Sequence, residues 1–161
     1  FAVGETFPYH GEPHEIVVEQ RSTSEVTDQE LRLAEHHVDQ TSIQRALEML
    51  YRRKAREWFE EKADQLAPEM DVEYDKIEIR NQRTKWGSCS TSGTLGLNWR
   101  LMMAPTPVAK YIVVHELAHL REQNHTDEFW SLVAEYDSDY KEHAEWLQEN
   151  STELIFSKQD L

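Results

Sequence analysis

A single cysteine, Cys89, stands in the 161 residues. That excludes an internal disulfide and fits a reducing, cytoplasmic setting. No run of about 18 apolar residues occurs, so nothing in the sequence reads as a membrane-spanning helix. No signal peptide is visible; the chain opens at Phe1 rather than Met, so a preceding piece could have carried one. Basic charge is short. There are 17 Lys and Arg against 31 Asp and Glu, a net charge of −14. A surface of that sign does not attract nucleic acid or anionic membrane by bulk electrostatics. Lysine is the scarcer base, 7 beside 10 Arg, while Glu alone reaches 22. This exceeds what solubility requires and points to a salt-loving source. At 1 M salt the Debye length falls to about 3 Å, which screens such self-repulsion.

What is present reads as an α+β chain. HEIVVEQ, residues 14–20, is a strand, and ELRLAEHHV, residues 30–38, fits strand or helix equally. Residues 41–68 form a long amphipathic helix, with Ile43, Leu47, Leu50, Tyr51, Trp58, Phe59 and Leu66 at helical spacing. Thr41 or Ser42 caps it and Pro68 closes it. Its YRRKAR segment reads as a solvated face. EYDKIEIRNQ and TLGLNWRL read as two strands, expected to pair antiparallel across a turn-rich loop. Thr106 as N-cap and Pro107 in the first turn start a new helix. DEFWSLVAEY, capped by Thr126, and DYKEHAEWLQEN give two more helices.

The helix that starts at Thr106 and Pro107 carries the chemistry. HELAHLREQNHTDEFW, residues 115–130, places three His and Glu116 as in a zinc enzyme, and the YIVVHELAHL that carries the first two His is a nearly apolar helix. Helical residues four apart share a face, so His115 and His119 can aim both imidazoles at one point. Glu116 is offset beside the first of them, where its carboxylate can reach a water without being a ligand. This is the H-E-x-x-H pattern of zinc enzymes. Catalytic zinc usually takes three protein ligands and leaves the fourth position open. His125 is available as the third ligand if the chain reverses near Asn124; Glu135 or Glu142 is the alternative. Asp127 would then be an outer partner of His125.

RNQRTKWGSCST, residues 80–91, is the second unusual stretch. Arg80, Arg83, Lys85 and Trp86 bunch there, as a wall that binds substrate or as an ordinary structural loop. Residues 94–99, with Asn98, form a strand that could flank the metal and pair with an extended peptide. Cys89 has no C-x-x-C partner and reads as a small loop cysteine. His143, Tyr136 and Tyr140 could donate to an oxyanion, though packing roles suit each. His10, His14, His36 and His37 lack ligand spacing.

KWGSCS, the strand ending LNWRL, YIVVHELAHL and NHTDEFW together resemble the YgjP-like metal-dependent hydrolases, relatives of the SprT-like and other zincin metallopeptidases. The resemblance runs from about residue 41 to 147. It implies a zincin-like fold: a small antiparallel sheet against the long helix and the H-E-x-x-H helix. It also implies His115, His119 and His125 as metal ligands, Glu116 as catalytic base, and a KWGSCS loop near the site.

The expectation is one domain over residues 1–161, with N-terminal strands in about 1–40 and a catalytic part in about 41–150. It would hold one Zn²⁺ and hydrolyse a peptide or protein. Two other readings stand beside it: a UTP pyrophosphatase, although triphosphates normally bring Mg²⁺ and oxygen ligands, and a non-catalytic zinc module.

Overall fold

A computed structural model describes residues 1–82 and 85–154. The chain begins with β1 (Thr6–Tyr9), β2 (Glu12–Glu19), β3 (Glu25–Val26) and β4 (Glu30–Ala34). They form a four-stranded sheet in the order β1-β2-β4-β3, with β2 and β4 parallel and the other pairs antiparallel. The ambiguous segment 30–38 is both things in turn: β4, then a short helix α1 (Glu35–Gln40). Ile16, Leu31 and Leu33 of this sheet are fully buried.

The long helix α2 (Ile43–Glu69) starts where Ser42 Oγ accepts from the Arg45 amide at 3.0 Å. Pro68 lies inside the last turn rather than beyond it. Leu47, Leu50, Tyr51, Phe59 and Leu66 form its inner stripe. Tyr51 is wholly buried, and its hydroxyl donates to the Pro8 carbonyl at 2.6 Å, fastening β1 to α2.

The second sheet departs from expectation. Its strands are β5 (Lys76–Arg80), β6 (Gly87–Cys89) and β7 (Thr94–Asn98), in the order β5-β7-β6. β5 and β7 are parallel, Ile77 opposite Leu95 and Ile79 opposite Leu97. The expected antiparallel pairing of these two is therefore corrected. The antiparallel partner of β7 is β6, hidden inside KWGSCS with no apolar alternation to reveal it. The connection after β5 crosses to the far side of β7, so β5 and β7 run the same way.

Asn98 anchors that crossing. Its side-chain amide donates to the carbonyls of Gln82 and, at 3.2 Å, Lys85. Its Oδ1 accepts from the Arg100 amide at 3.0 Å, which starts a 3₁₀ turn over Trp99–Met103. Trp99 Nε1 adds a bond to Asn81 Oδ1 at 2.9 Å. TLGLNWRL is thus strand only as far as Asn98.

Helix α3 (Thr106–Ala118) begins one residue earlier than the capping pattern suggested: Pro105 is the N-cap and Thr106 already helical. The β1–β2 turn docks on its approach. The amides of His10 and Gly11 donate to the carbonyls of Met102 and Met103 at 2.7 and 3.0 Å. Gly11 has φ +83 and a virtual Cβ would lie 3.0 Å from Pro105 Cγ, so both backbone and space call for glycine. Helices α4 (Asp127–Tyr136) and α5 (Tyr140–Asn150) follow. Both pack on α3, which is buried on nearly every side and so sits at the centre of the core.

Candidate metal centre

α3 stops at Ala118, and His119 is its C-cap, still in the right-handed region. The chain then reverses through residues 120–126. Thr126 Oγ1 accepts from the Phe129 amide at 3.3 Å and starts α4, as the sequence indicated. This reversal returns His125 to the end of α3.

His115, His119 and His125 meet there: each offers a ligand atom, and the three atoms lie within 4.8 Å of one another. Nitrogens bound at about 2.0–2.1 Å to one tetrahedral ion stand roughly 3.3 Å apart. His119 Nε2 and His125 Nε2 are 3.1 Å apart, close to that spacing. His119 Nδ1 donates to the Glu122 carbonyl at 3.2 Å and His115 Nδ1 to Glu116 Oε2 at 3.1 Å. Bonds at Nδ1 leave Nε2 bare, the tautomer that binds metal. Burial, then the neighbouring His119 and His115, hold the His125 imidazole below its usual pKa, against the opposing pull of Glu116. Three imidazole nitrogens gathered at one point fit a divalent cation of borderline softness.

No fourth His, Cys, Asp or Glu donor joins the three among the described residues. Glu135 and Glu142, the alternative third ligands, are outside the group. Asp127 makes no hydrogen bond to His125 among the described residues, which corrects the expected outer contact. The outer partners found are the Glu122 carbonyl, on His119, and Glu116 Oε2, on His115.

Beneath the imidazoles lies Phe129, fully buried. It stacks on His119 at 4.5 Å and meets His115 and His125 edge-on at 5.1 and 4.9 Å. Trp130 stacks on His125 at 5.7 Å. The FW of NHTDEFW is therefore the floor and side wall of the centre. Apolar periodicity alone marks Phe129 as core and gives no sign of this contact.

Glu116 is only 4% exposed. β6 passes directly over it: a Cβ on Gly87 would stand 2.9 Å from Glu116 Oε2 and 2.9 Å from Ile112 Cγ2. Lys85 and residues 87–91 form one wall of an open cleft, and the three His, Glu116 and Leu120 line the other. Cys89 lines it too, its thiol pushed up to about 11 by burial and then by the Glu116 charge. A thiol so raised is a poor nucleophile at neutral pH.

The remaining substrate-binding candidates divide. Lys85 lines the cleft. Arg80 does not: it pairs with Glu78 at 2.5 Å, and its guanidinium lies over Gly96. Gly96 alternates with the buried Leu95 and Leu97, so Arg80 covers the sheet face turned away from α3. Trp86 packs half-buried against the core. Asn98 is fully buried and bonded to backbone. Arg83 lies outside the described residues. β7 has both edges taken, by β5 and β6. It therefore has no edge left for a peptide; the strand that borders the cleft is β6.

Two solved structures share this fold. The metallopeptidase zymogen abylysin of Pyrococcus abyssi superposes with a TM-score of 0.51 at 21% identity, over 56% of this chain and 93% of that one. The metallopeptidase zymogen jannalysin of Methanocaldococcus jannaschii gives 0.51 at 22% identity, over 57% and 95%. The fold is accordingly α+β and zincin-like, with two small mixed sheets in place of one antiparallel sheet. No curated protein matches the sequence. A family model, YgjP-like, metallopeptidase domain, matches residues 1–150 and so includes the N-terminal sheet that the motifs alone do not reach. With its three histidines gathered beside Glu116 and this match across nearly its whole length, the chain belongs to the YgjP-like metallopeptidase family.

Proposed function

We propose that the chain is a zinc-dependent peptidase in which Glu116 is the general base. The observation that carries this is the three-imidazole cluster with no fourth side-chain donor among the described residues and a buried carboxylate next to it. A structural zinc site would be closed by a fourth protein ligand. His115, His119 and His125 hold the metal. A bound zinc ion supplies Lewis acidity, acidifying water and polarising a carbonyl.

The protein's own groups do the rest. Glu116 takes a proton from the attacking water and returns it to the departing amine. The apolar floor at Phe129 and the low exposure of Glu116 keep the local dielectric low, which strengthens each charge interaction. The substrate lies extended along β6. In the antiparallel pairing with β7 the amides of Trp86, Ser88 and Ser90 face β7, so those of Gly87 and Cys89 face the cleft edge. That edge is free to add a peptide strand. The phosphate-binding alternative loses support, because Arg80 lies on the other face of the sheet and Lys85 is the only basic side chain lining the cleft among the described residues.

Glu116→Gln tests the role of the base. The variant should bind zinc at wild-type stoichiometry and lose at least about a hundredfold in kcat on an unfolded protein substrate. Wild-type turnover by the variant would end this assignment. Release of pyrophosphate from UTP without peptide cleavage would replace the peptidase reading altogether.

A further inference from the structure

A second groove opens beside the metal centre, between α3, α4 and α5. Tyr111, Trp130, Tyr140, Lys141, Ala144 and Glu145 line it. It shares rings with the metal centre. Tyr111 meets His115 edge-on at 5.9 Å, and Trp130 stacks on His125 at 5.7 Å and 25°. Trp130 also stacks on Tyr140 at 5.3 Å and 18°. A row of near-parallel rings therefore runs from a ligating imidazole to the groove.

The polar ends of these rings are unused. Neither the Tyr111 hydroxyl, the Trp130 indole N–H nor the Tyr140 hydroxyl hydrogen-bonds to any group among the described residues. Tyr111 is 5% exposed, Trp130 and Tyr140 are half-buried, and none of the three donors is sealed away from solvent, so each is open to a ligand in the groove. Three rings with unpaired donors line one groove, which suits a ligand that is aromatic and brings acceptors. Charge narrows its nature. The Lys141 ammonium already sits 6.0 Å over the Tyr140 ring, where a cationic side chain would stack. Lys141 and Glu145 on the same wall balance one another, so the groove offers no net charge to an ionic ligand. What remains is a neutral ring.

We propose that this groove is the specificity site for a neutral aromatic side chain, Phe or Tyr in class, on the substrate residue next to the scissile bond. The ring stacks on the Trp130–Tyr140 shelf, and the unused hydroxyls donate to substrate carbonyls. Only one layer of rings separates the groove from the ligating imidazoles, which places the recognised residue next to the reaction. The proposal rests on the peptidase reading, and the following test separates the two.

Zinc-loaded protein is given peptide sets that differ at one position: Phe, Ala or Lys. Wild type should favour Phe by about tenfold or more in kcat/KM, the usual range for a filled apolar pocket. Ala144→Phe, which fills the groove, and Tyr140→Ala, which removes the shelf, should each reduce that ratio to about threefold or less, with circular dichroism and zinc content confirming fold and loading. Independently, N-acetylphenylalaninamide should shift the Trp130 indole N–H resonance saturably, the resonance being assigned from Trp130→Phe; N-acetylalaninamide should not. If no peptide is cleaved but the resonance moves, the peptidase reading fails and the aromatic site stands. A Phe preference that survives both substitutions, or an indole indifferent to the probe, overturns the proposal.

Discussion

Gly87 and Glu116 are in contact: a Cβ at Gly87 would come within 2.9 Å of Glu116 Oε2 and 3.0 Å of its Cγ. The glycine of KWGSCS is thus a spatial requirement of the Glu116 carboxylate, set by how closely β6 crosses α3. Gly87→Ala forces Glu116 or the strand to move while leaving the three imidazoles in place. The expected result is a loss of about tenfold or more in kcat with zinc stoichiometry unchanged, since proton transfer depends on tight positioning. Full activity in this variant would show that the carboxylate tolerates displacement and that the contact is incidental.

Of the three proposed ligands His125 is the one that lies beyond α3 and its C-cap, so its place depends on the reversal through residues 120–126. His125→Ala should weaken zinc binding by at least about tenfold with the fold retained, whereas Glu135→Ala and Glu142→Ala should leave it unchanged. Competition with a chromophoric chelator measures all three. Affinity that survives the loss of His125 and falls with either Glu would require a different third ligand.

Phe129 touches all three imidazoles from below. Phe129→Ala should cost about 3–5 kcal/mol of stability as a large-to-small core substitution. It should also lower zinc affinity, because the rings lose their common support. Phe129→Leu keeps most of the volume and should recover most of both. Chemical unfolding with and without chelator separates the two effects. Metal affinity indifferent to Phe129→Ala would reduce the ring to ordinary core.

Cys89 gives a pH prediction. Its thiol is raised to about 11 by burial and then by the Glu116 charge. The folded protein therefore keeps Cys89 protonated at neutral pH, and alkylation by iodoacetamide should accelerate only as pH approaches 11. A free cysteine titrates near 8.5. Metal-free Glu116→Gln removes the negative charge and should shift the profile downward. An unfolded-like profile in the intact protein would mean that the thiol is not buried as described.

The features legible in the sequence are those governed by short-range geometry. A helix repeats every 3.6 residues, so the spacing of His115 and His119, the inner stripe of α2 and the Thr126 cap could each be read from neighbours along the chain. The third histidine of the cluster took one further step: a chain reversal just long enough to return His125 to the end of α3. The resemblance carried by KWGSCS and NHTDEFW then marked stretches whose shared contacts no local rule describes.

The rest waited on the tertiary structure, because it depends on distances between residues far apart in sequence. β6 has three residues and no alternating pattern, so neither its existence nor the parallel pairing of β5 with β7 could be read locally. The strand direction in turn decided that Arg80 faces away from the histidines and that Asn98 ties down a loop. Only packing could turn Gly87 into the space that Glu116 needs, Phe129 into the floor of three imidazoles, and Tyr111, Trp130 and Tyr140 into one groove. The sequence by itself determined which residues can bind a metal and split a bond, since that follows from side-chain chemistry and helical period. What surrounds them, and hence what can approach them, was decided by the close crossing of β6, α3 and α4, which no local spacing encodes.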